Sequence, residues 1–316
     1  MSLNQTEPDS FIPLKPLPDR GTIGIFAPSS PVESDRLGRG IRYLESHGYR
    51  TKTTKSCYAS LNYLAGTGEE RAADLMQLVN DPQVDAIFCT RGGFGSIMML
   101  PFLKYDEILK ARKIILGFSD VTALQWAIYK KCGLPSISAG MVGTDLAKEE
   151  LVPQFEENFW RLLHTGEIDL PLDYTAEKES THHGICMPGT ISVAAMLLGS
   201  DYFPDLKGAI PVLEDVNEQQ HKVEAYLQQM KLGGHLANLS SVVLGRFTPA
   251  EAEEYPDLPS PDLVFERAFG SKNYPVIKNF DYGHVPGKIS LPTGVPISVS
   301  LGKHSVMRTR KTIFEH

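Results

Sequence analysis

From Thr22 to Ser138 short apolar runs alternate with segments of helical periodicity, and few folds accept that alternation. Runs too short for a core helix read as buried strands. Strands separated by helices assemble into a parallel, doubly wound sheet covered on both faces. Thr22 to Ala27 is the first such strand and leads into Pro28-Ser-Ser-Pro31; Leu37, Ile41 and Leu44 then mark a helix that stops at Gly48. Tyr49 to Thr53 is a second strand whose threonines and lysines suit a sheet edge. Thr67-Gly-Glu-Glu70 has capping-box spacing ahead of Leu75, Leu78 and Val79, and Asp81-Pro82 ends that helix. Val84 to Cys89 and Ile114 to Leu116 are further strands, and Val121 to Ile128 is the helix after the last of these.

Sheets of this kind bind ligands at the carboxyl ends of their strands. Two turns fall there. Arg91-Gly-Gly-Phe-Gly95 brings backbone N–H groups close to a ligand, or simply makes a tight strand-to-helix connection. Gly117-Phe-Ser-Asp120 places Ser119 over a helix N-terminus, where developing negative charge is favoured. Ser and Asp before a helix are most often N-caps. Val121 stands where the G-x-S-x-G elbow has its second glycine, so only partners elsewhere in the chain can make Ser119 a nucleophile.

The pattern loosens between Leu151 and Lys178, where Phe155, Phe159 and Leu162 mark one helix and Pro171, Asp173 and Tyr174 a connection. The chain thus divides into a loose arm at 1–20, an α/β domain at 21–150, a linker at 151–184 and a second domain at 185–316. In the second domain, Thr190 to Leu198 reads as a short helix and Ala209 to Leu213 as a strand that ends in Glu214, Asp215 and Glu218. Val223, Tyr226, Leu227 and Met230 give a helix ending at Gly233-Gly234, Val242 to Leu244 a strand, and Leu263 to Phe269 a helix beyond an acidic, proline-rich loop after Pro249. Val276-Ile277, Lys288 to Leu291 and Ile297 to Val299 are short strands, so this domain is expected to be α+β with antiparallel or barrel-like sheet. His284 sits in a loop rich in glycine and proline.

A formal net charge of −7 and the lack of any Lys/Arg-rich run argue against a nucleic-acid partner. Neither G-x-G-x-x-G nor G-x-x-x-x-G-K-[ST] occurs. The four cysteines form no C-x-x-C pair and point to a reducing compartment, with Cys89 and Cys132 as core residues. No run of 18 apolar residues and no secretory leader is visible, so no membrane association is expected. His182-His183 lacks the spacing of a helical zinc pair, and no H-E-x-x-H occurs. No metal and no cofactor are expected.

Arg91-Gly-Gly-Phe-Gly95, the Ser119 turn, Gly208 to Glu218 and Asn279 to Gly294 together resemble the LD-carboxypeptidases, a family of serine peptidases, in the family's order and from about Gly21 to the last strands. The resemblance implies Ser119 as nucleophile, His284 as base and Glu214 as the acid, with Asp215 and Glu218 as nearby rivals. A serine hydroxyl needs such a base within hydrogen-bond reach and a third group to orient it. With Ser119 in the first domain and the other two in the second, the active site is expected in an interdomain cleft. Backbone N–H groups of Gly93 and Asp120 are the expected oxyanion donors, and Arg91 or the amides of the glycine turn, Gly92 among them, the expected partners of a substrate carboxylate. The implied reaction removes C-terminal D-alanine from murein peptides through an acyl-enzyme, in a cytoplasmic homodimer serving cell-wall peptide recycling; the alternatives are a self-immunity hydrolase that cleaves an aminoacyl-nucleotide antibiotic and a non-catalytic binder of murein peptides. One departure is Ser138-Ala-Gly-Met141, where many members have a His/Ser-Gly-Pro-Met-like segment.

Overall fold

Strand β1 (Thr22–Phe26) is buried along its whole length. That fits a strand with helices on both faces, and explains why the apolar runs do not alternate with polar residues. In the computed structural model, which describes residues 11–249 and 259–315, the first half runs on through α1 (Ser34–Ser46), β2 (Arg50–Thr53), α2 (Gly68–Asn80), β3 (Ala86–Cys89), α3 (Tyr105–Ala111), β4 (Ile114–Gly117), α4 (Thr122–Cys132) and β5 (Ser136–Ser138). The Thr67 side chain accepts from Glu70 N–H and the Glu70 side chain from Thr67 N–H, so α2 starts at a capping box. The five strands are parallel in the order β5-β4-β3-β1-β2, with β2 at the edge as its polar residues suggest. The carboxyl ends of β1, β3 and β4 therefore lie side by side.

The second half contains α5 (Pro153–Thr165), β6 (Asp169–Leu172), β7 (Ser180–Thr190), α6 (Ile191–Met196), β8 (Ile210–Glu218), α7 (Gln220–Leu232), β9 (Val242–Pro249), α8 (Pro261–Phe269), β10 (Val276–Ile277), β11 (Leu291–Thr293), β12 (Val295–Leu301) and β13 (Ser305–Thr309). Its sheet has the order β10-β9-β8-β7-β12-β13-β6. The strands from β10 to β7 are parallel, and those from β7 to β6 antiparallel.

Three expectations are corrected. Residues 151–184 are not a linker but supply α5, β6 and the start of β7, the two strands both belonging to the second sheet. Residues 11–20 are not a loose arm: Leu14 is fully buried, its N–H donates to Ile313 O at 2.8 Å, and its carbonyl accepts from Glu315 N–H at 2.9 Å. The other half of the proposed arm, residues 1–10, lies outside the described residues, as does most of the acidic loop after Pro249. The strand expected at Lys288 to Leu291 instead occupies Leu291–Thr293 and pairs antiparallel with β5 in the first sheet. Lys288 N–H donates to Val285 O at 3.2 Å, Ile289 N–H to Asp281 O at 2.7 Å and Ser290 N–H to Asn158 Oδ1, so these backbone donors are not available to a ladder. This strand carries the chain across between the two sheets and fixes the segment just before it, which includes His284.

Candidate active site

Ser119 follows β4 after one buried residue, Phe118, and has φ +65°. A non-glycine residue held in the left-handed region costs on the order of 1 kcal/mol or more and persists only where its surroundings enforce it. The enforcement is visible. A Cβ added at Gly92 would lie 2.9 Å from Ser119 Cβ, so the glycine turn runs close against the serine with no room for a side chain between them. Asp120 does not cap the helix. Its Oδ2 accepts from Ser29 Oγ at 2.6 Å and from Ser96 N–H at 2.8 Å, while its carbonyl accepts from Ser96 Oγ. One carboxylate thus ties together the loops after β1, β3 and β4. Burial pushes that carboxyl up, opposed by the hydrogen bonds from Ser29 and Ser96 and by the charge of Arg71.

Arg71, on α2, completes the underside of the site. It is fully buried and donates to the carbonyls of Gly66 and Gly95, each at 3.0 Å, and to Pro28 O. The sequence does hold its signal: Arg71 precedes Leu75 by four residues and Leu78 by seven, so a charge stands on the apolar stripe of the helix. Burial lowers its guanidinium below the ordinary value. The backbone carbonyls it holds are those of the turns around Ser119.

The second sheet supplies the partners. His284 Nε2 lies 3.1 Å from Ser119 Oγ, and His284 Nδ1 lies 2.8 Å from Glu214 Oε2. Glu214, in β8, is completely buried. A carboxylate accepts, so Nδ1 carries the proton and the neutral ring leaves Nε2 as the acceptor for the serine hydroxyl. Register pairs Thr190 of β7 with Glu214, and Thr190 Oγ1 donates to Glu214 Oε1 at 2.5 Å. Sequence reading missed Thr190, because only the pairing of β7 with β8 brings it there.

The two rivals face elsewhere. Asp215 accepts from Ser192 N–H and Val216 N–H, each at 2.8 Å, and burial pushes its carboxyl up to about 6. Glu218 lies 3.9 Å from Lys222. The histidine loop is pinned on several sides: Arg246 N–H donates to Tyr282 O at 2.8 Å, and Tyr282 OH lies 2.9 Å from Ser138 Oγ. Gly245 allows that approach, since a Cβ there would meet Tyr282 O at 2.2 Å. Ser138, the first residue of the departing segment, thus braces the loop that carries His284.

Ser119 and His284 open on a recess of about 350 Å³ also lined by Arg91, Gly92 and Gly93. Gly93 has φ +120°, and a Cβ there would collide with Ser30 Oγ. His182 is engaged with Ser180, and among the described residues no group of three or more His, Cys, Asp and Glu could hold a metal ion. No helix among them is long and apolar enough to cross a membrane.

Comparison with known proteins gives this arrangement a context. A family model described as the LD-carboxypeptidase N-terminal domain matches residues 23–139, and one described as the LD-carboxypeptidase C-terminal domain matches residues 183–299. The chain belongs to the LD-carboxypeptidase family. It is accordingly an enzyme, a serine-type carboxypeptidase. The murein tetrapeptide carboxypeptidase of Pseudomonas aeruginosa is 29% identical over 289 residues, covering 88% of this chain and 92% of that one. The microcin C7 self-immunity protein MccF of Escherichia coli is 26% identical over 332 residues, covering 94% and 95%. Among solved structures, MccF in complex with aspartyl sulfamoyl adenosine superposes with a TM-score of 0.85 at 25% identity, covering 96% of this chain and all of that one. The two matched segments include the elements that carry Ser119, Glu214 and His284.

Proposed function

We propose that this LD-carboxypeptidase family member releases C-terminal D-alanine from murein tetrapeptides, with Ser119 as nucleophile, His284 as general base and acid, and Glu214 as the group that orients the imidazole. The observation that carries the reading is the pair of contacts at His284, 3.1 Å to the serine hydroxyl and 2.8 Å to the buried carboxylate. As Ser119 Oγ attacks the scissile carbonyl, Nε2 takes the hydroxyl proton, and Glu214 stabilises the resulting imidazolium. Nε2 then protonates the departing amine, leaving an acyl-enzyme on Ser119. Water, deprotonated by the same nitrogen, releases the shortened peptide.

Backbone N–H groups of Gly93 and Asp120 are the proposed oxyanion donors; losing one such donor typically costs about 10²- to 10³-fold in rate. Arg91 and the Gly92 amide are the proposed partners of the substrate carboxylate. The name of the Pseudomonas relative supports the murein substrate; a place in cell-wall peptide recycling in the cytoplasm is part of the same proposal. A homodimer belongs to the same reading.

A second reading is a hydrolase for aminoacyl-nucleotide antibiotics, favoured by the end-to-end likeness to MccF. One experiment addresses both. Purified protein is given a murein tetrapeptide and, separately, an aminoacyl adenylate analogue with a cleavable amide, with release of D-alanine or of the amino acid followed. Tetrapeptide turnover that disappears in Ser119→Ala supports the proposal. Turnover of the nucleotide substrate alone transfers the function to the second reading, and full activity in Ser119→Ala rules out the mechanism.

A further inference from the structure

The protein carries a net charge of −7, yet the lining of the recess at Ser119 has the opposite balance, with Arg36, Arg91, Lys148 and Lys288 facing a single carboxylate, Asp145. Arg36 is shared with Glu33 at the exposed rim. Arg91 and Lys288 are the cations beside the reacting groups. The Arg91 guanidinium donates only to backbone carbonyls, those of Gly92 and Pro31, among the described residues.

Lys288 is more unusual, because it is 5% exposed. Its Nζ lies 3.0 Å from Asp145 Oδ1 and 4.1 Å above the Phe118 ring, which also packs against the His284 ring at 4.8 Å and the Tyr282 ring at 5.5 Å between centroids. Asp145 Oδ2 accepts from Met141 N–H at 3.1 Å and from Thr144 Oγ1 at 3.0 Å, which leaves Oδ1 for Lys288 at 3.0 Å and, more distantly, Lys148 at 4.0 Å. The charge of Lys288 and the Met141 N–H hold the Asp145 carboxyl below its ordinary value, against its burial. An ammonium has three N–H donors. Among the described residues Lys288 meets one acceptor, so donors remain for a ligand in the recess.

The side of the scissile bond follows from proton transfer. The departing amine must reach His284 Nε2 to be protonated, and in an amino acid the carboxylate is attached to the carbon next to that nitrogen. The departing residue, with its carboxylate, therefore lies on the histidine side of the recess. Lys288 comes four positions after His284 in the same loop and shares the Phe118 ring with it.

We propose that Lys288, held by Asp145, binds the free carboxylate of the departing residue and so makes this enzyme prefer peptides with an unblocked C-terminus. The inference rests on the peptidase reading and adds Lys288 to the residues that recognise substrate. Asp145 is a positioning residue. The lysine acts in binding and takes no part in proton transfer.

The test compares a tetrapeptide ending in D-alanine with the same peptide ending in D-alaninamide, for the wild type, Lys288→Met and Lys288→Arg. The expected result is a wild-type preference for the free acid that falls about ten- to a hundredfold in Lys288→Met, through KM, and is largely restored in Lys288→Arg, while amide turnover is kept. Equal loss on both peptides would make Lys288 a structural residue and overturn the proposal. Should Lys288→Met not fold because Asp145 is stranded, the double variant Lys288→Met/Asp145→Asn replaces it with the same expectations. A second measurement stands apart from peptide turnover: labelling of Ser119 by two fluorophosphonates, one bearing a carboxylate on its leaving side and one neutral. Faster labelling by the carboxylate probe, abolished in Lys288→Met, supports the subsite. Equal rates overturn it while leaving the nucleophile in place, and labelling by neither probe overturns both this inference and the peptidase reading.

Discussion

Thr190 N–H donates to Thr122 Oγ1 at 3.1 Å, joining the first residue of the helix behind Ser119 to the strand end that faces Glu214. The bond crosses between the two halves of the chain, and Thr190 extends it by donating its own hydroxyl to Glu214 Oε1. Two threonines thus connect the element carrying the proposed nucleophile to the carboxylate that orients the proposed base. Replacing Thr190 by valine keeps the shape and removes the hydroxyl. The expectation is a fall in kcat of about tenfold with KM little changed, because a hydrogen bond to a charged group is worth about 1.5–3 kcal/mol and only part of it acts on imidazole orientation. Steady-state kinetics on the tetrapeptide check this; unchanged kcat would show that Glu214 is held adequately without Thr190.

The strained backbone at Ser119 separates stability from chemistry. Ser119→Gly removes the hydroxyl and also the Cβ that makes φ +65° costly, whereas Ser119→Ala removes the hydroxyl alone. Both variants are expected to be inactive. In thermal melts the glycine variant should exceed the alanine variant by about 1 kcal/mol, a shift of roughly 2 °C in Tm. A lower melting point for the glycine variant would show that the turn stores no such strain.

Asp215 gives a pH signature. Its carboxyl is pushed from an ordinary 3.8 up to about 6, chiefly by burial. A raised acid holds its proton more tightly in the fold than in the unfolded chain. Its contribution is therefore fully present below pH 3.8 and is lost as pH rises through 6, amounting to about 3 kcal/mol over that window. Asp215→Asn has no such proton. Relative to that variant, the wild type should lose stability in urea melts between about pH 4 and pH 7. Parallel stability curves would place the Asp215 carboxyl at its ordinary value.

What could be read in the sequence was local. The capping box at Thr67, the edge position of Arg50–Thr53 and the strand-to-helix turn at Ser119 each depend on a few adjacent residues, and each has the expected form. Glu214 and His284 stand out in the sequence only through the family resemblance, since a strand-end acid and a loop histidine have no spacing that distinguishes them from capping or exposed residues. Thr122, Thr190 and the Lys288–Asp145 pair depend on register and loop packing across 68 and 143 positions, which no local pattern encodes. β11 was displaced by the same kind of long-range commitment. Arg71 is the intermediate case, because an arginine on an apolar stripe is visible in sequence although its four carbonyl partners are not.

Gly92 offers the sharpest test of how the turn after β3 serves Ser119. Its backbone carries no positive φ, so alanine there meets no conformational penalty of its own, only contact. The added methyl would lie 2.9 Å from Ser119 Cβ, 3.0 Å from its Oγ and 3.2 Å from Asp120 N. Real Cβ contacts are longer, so either the glycine turn or the serine must move by some tenths of an ångström. Arg71 holds the far end of the turn through Gly95 O, and Asp120 is held by Ser29 and Ser96, so the serine side chain is the freer of the two. Moving Oγ alters its 3.1 Å contact with His284 Nε2. Misplacement of a reacting group by about 1 Å can cost on the order of 10²-fold in rate, and a shift of some tenths of an ångström correspondingly less. Gly92→Ala should therefore lower kcat by roughly tenfold while the protein stays folded, and labelling of Ser119 by the neutral fluorophosphonate should slow in parallel. Full activity would mean that the glycine turn yields before the serine does, and that its contact with Ser119 is not what sets the position of the hydroxyl.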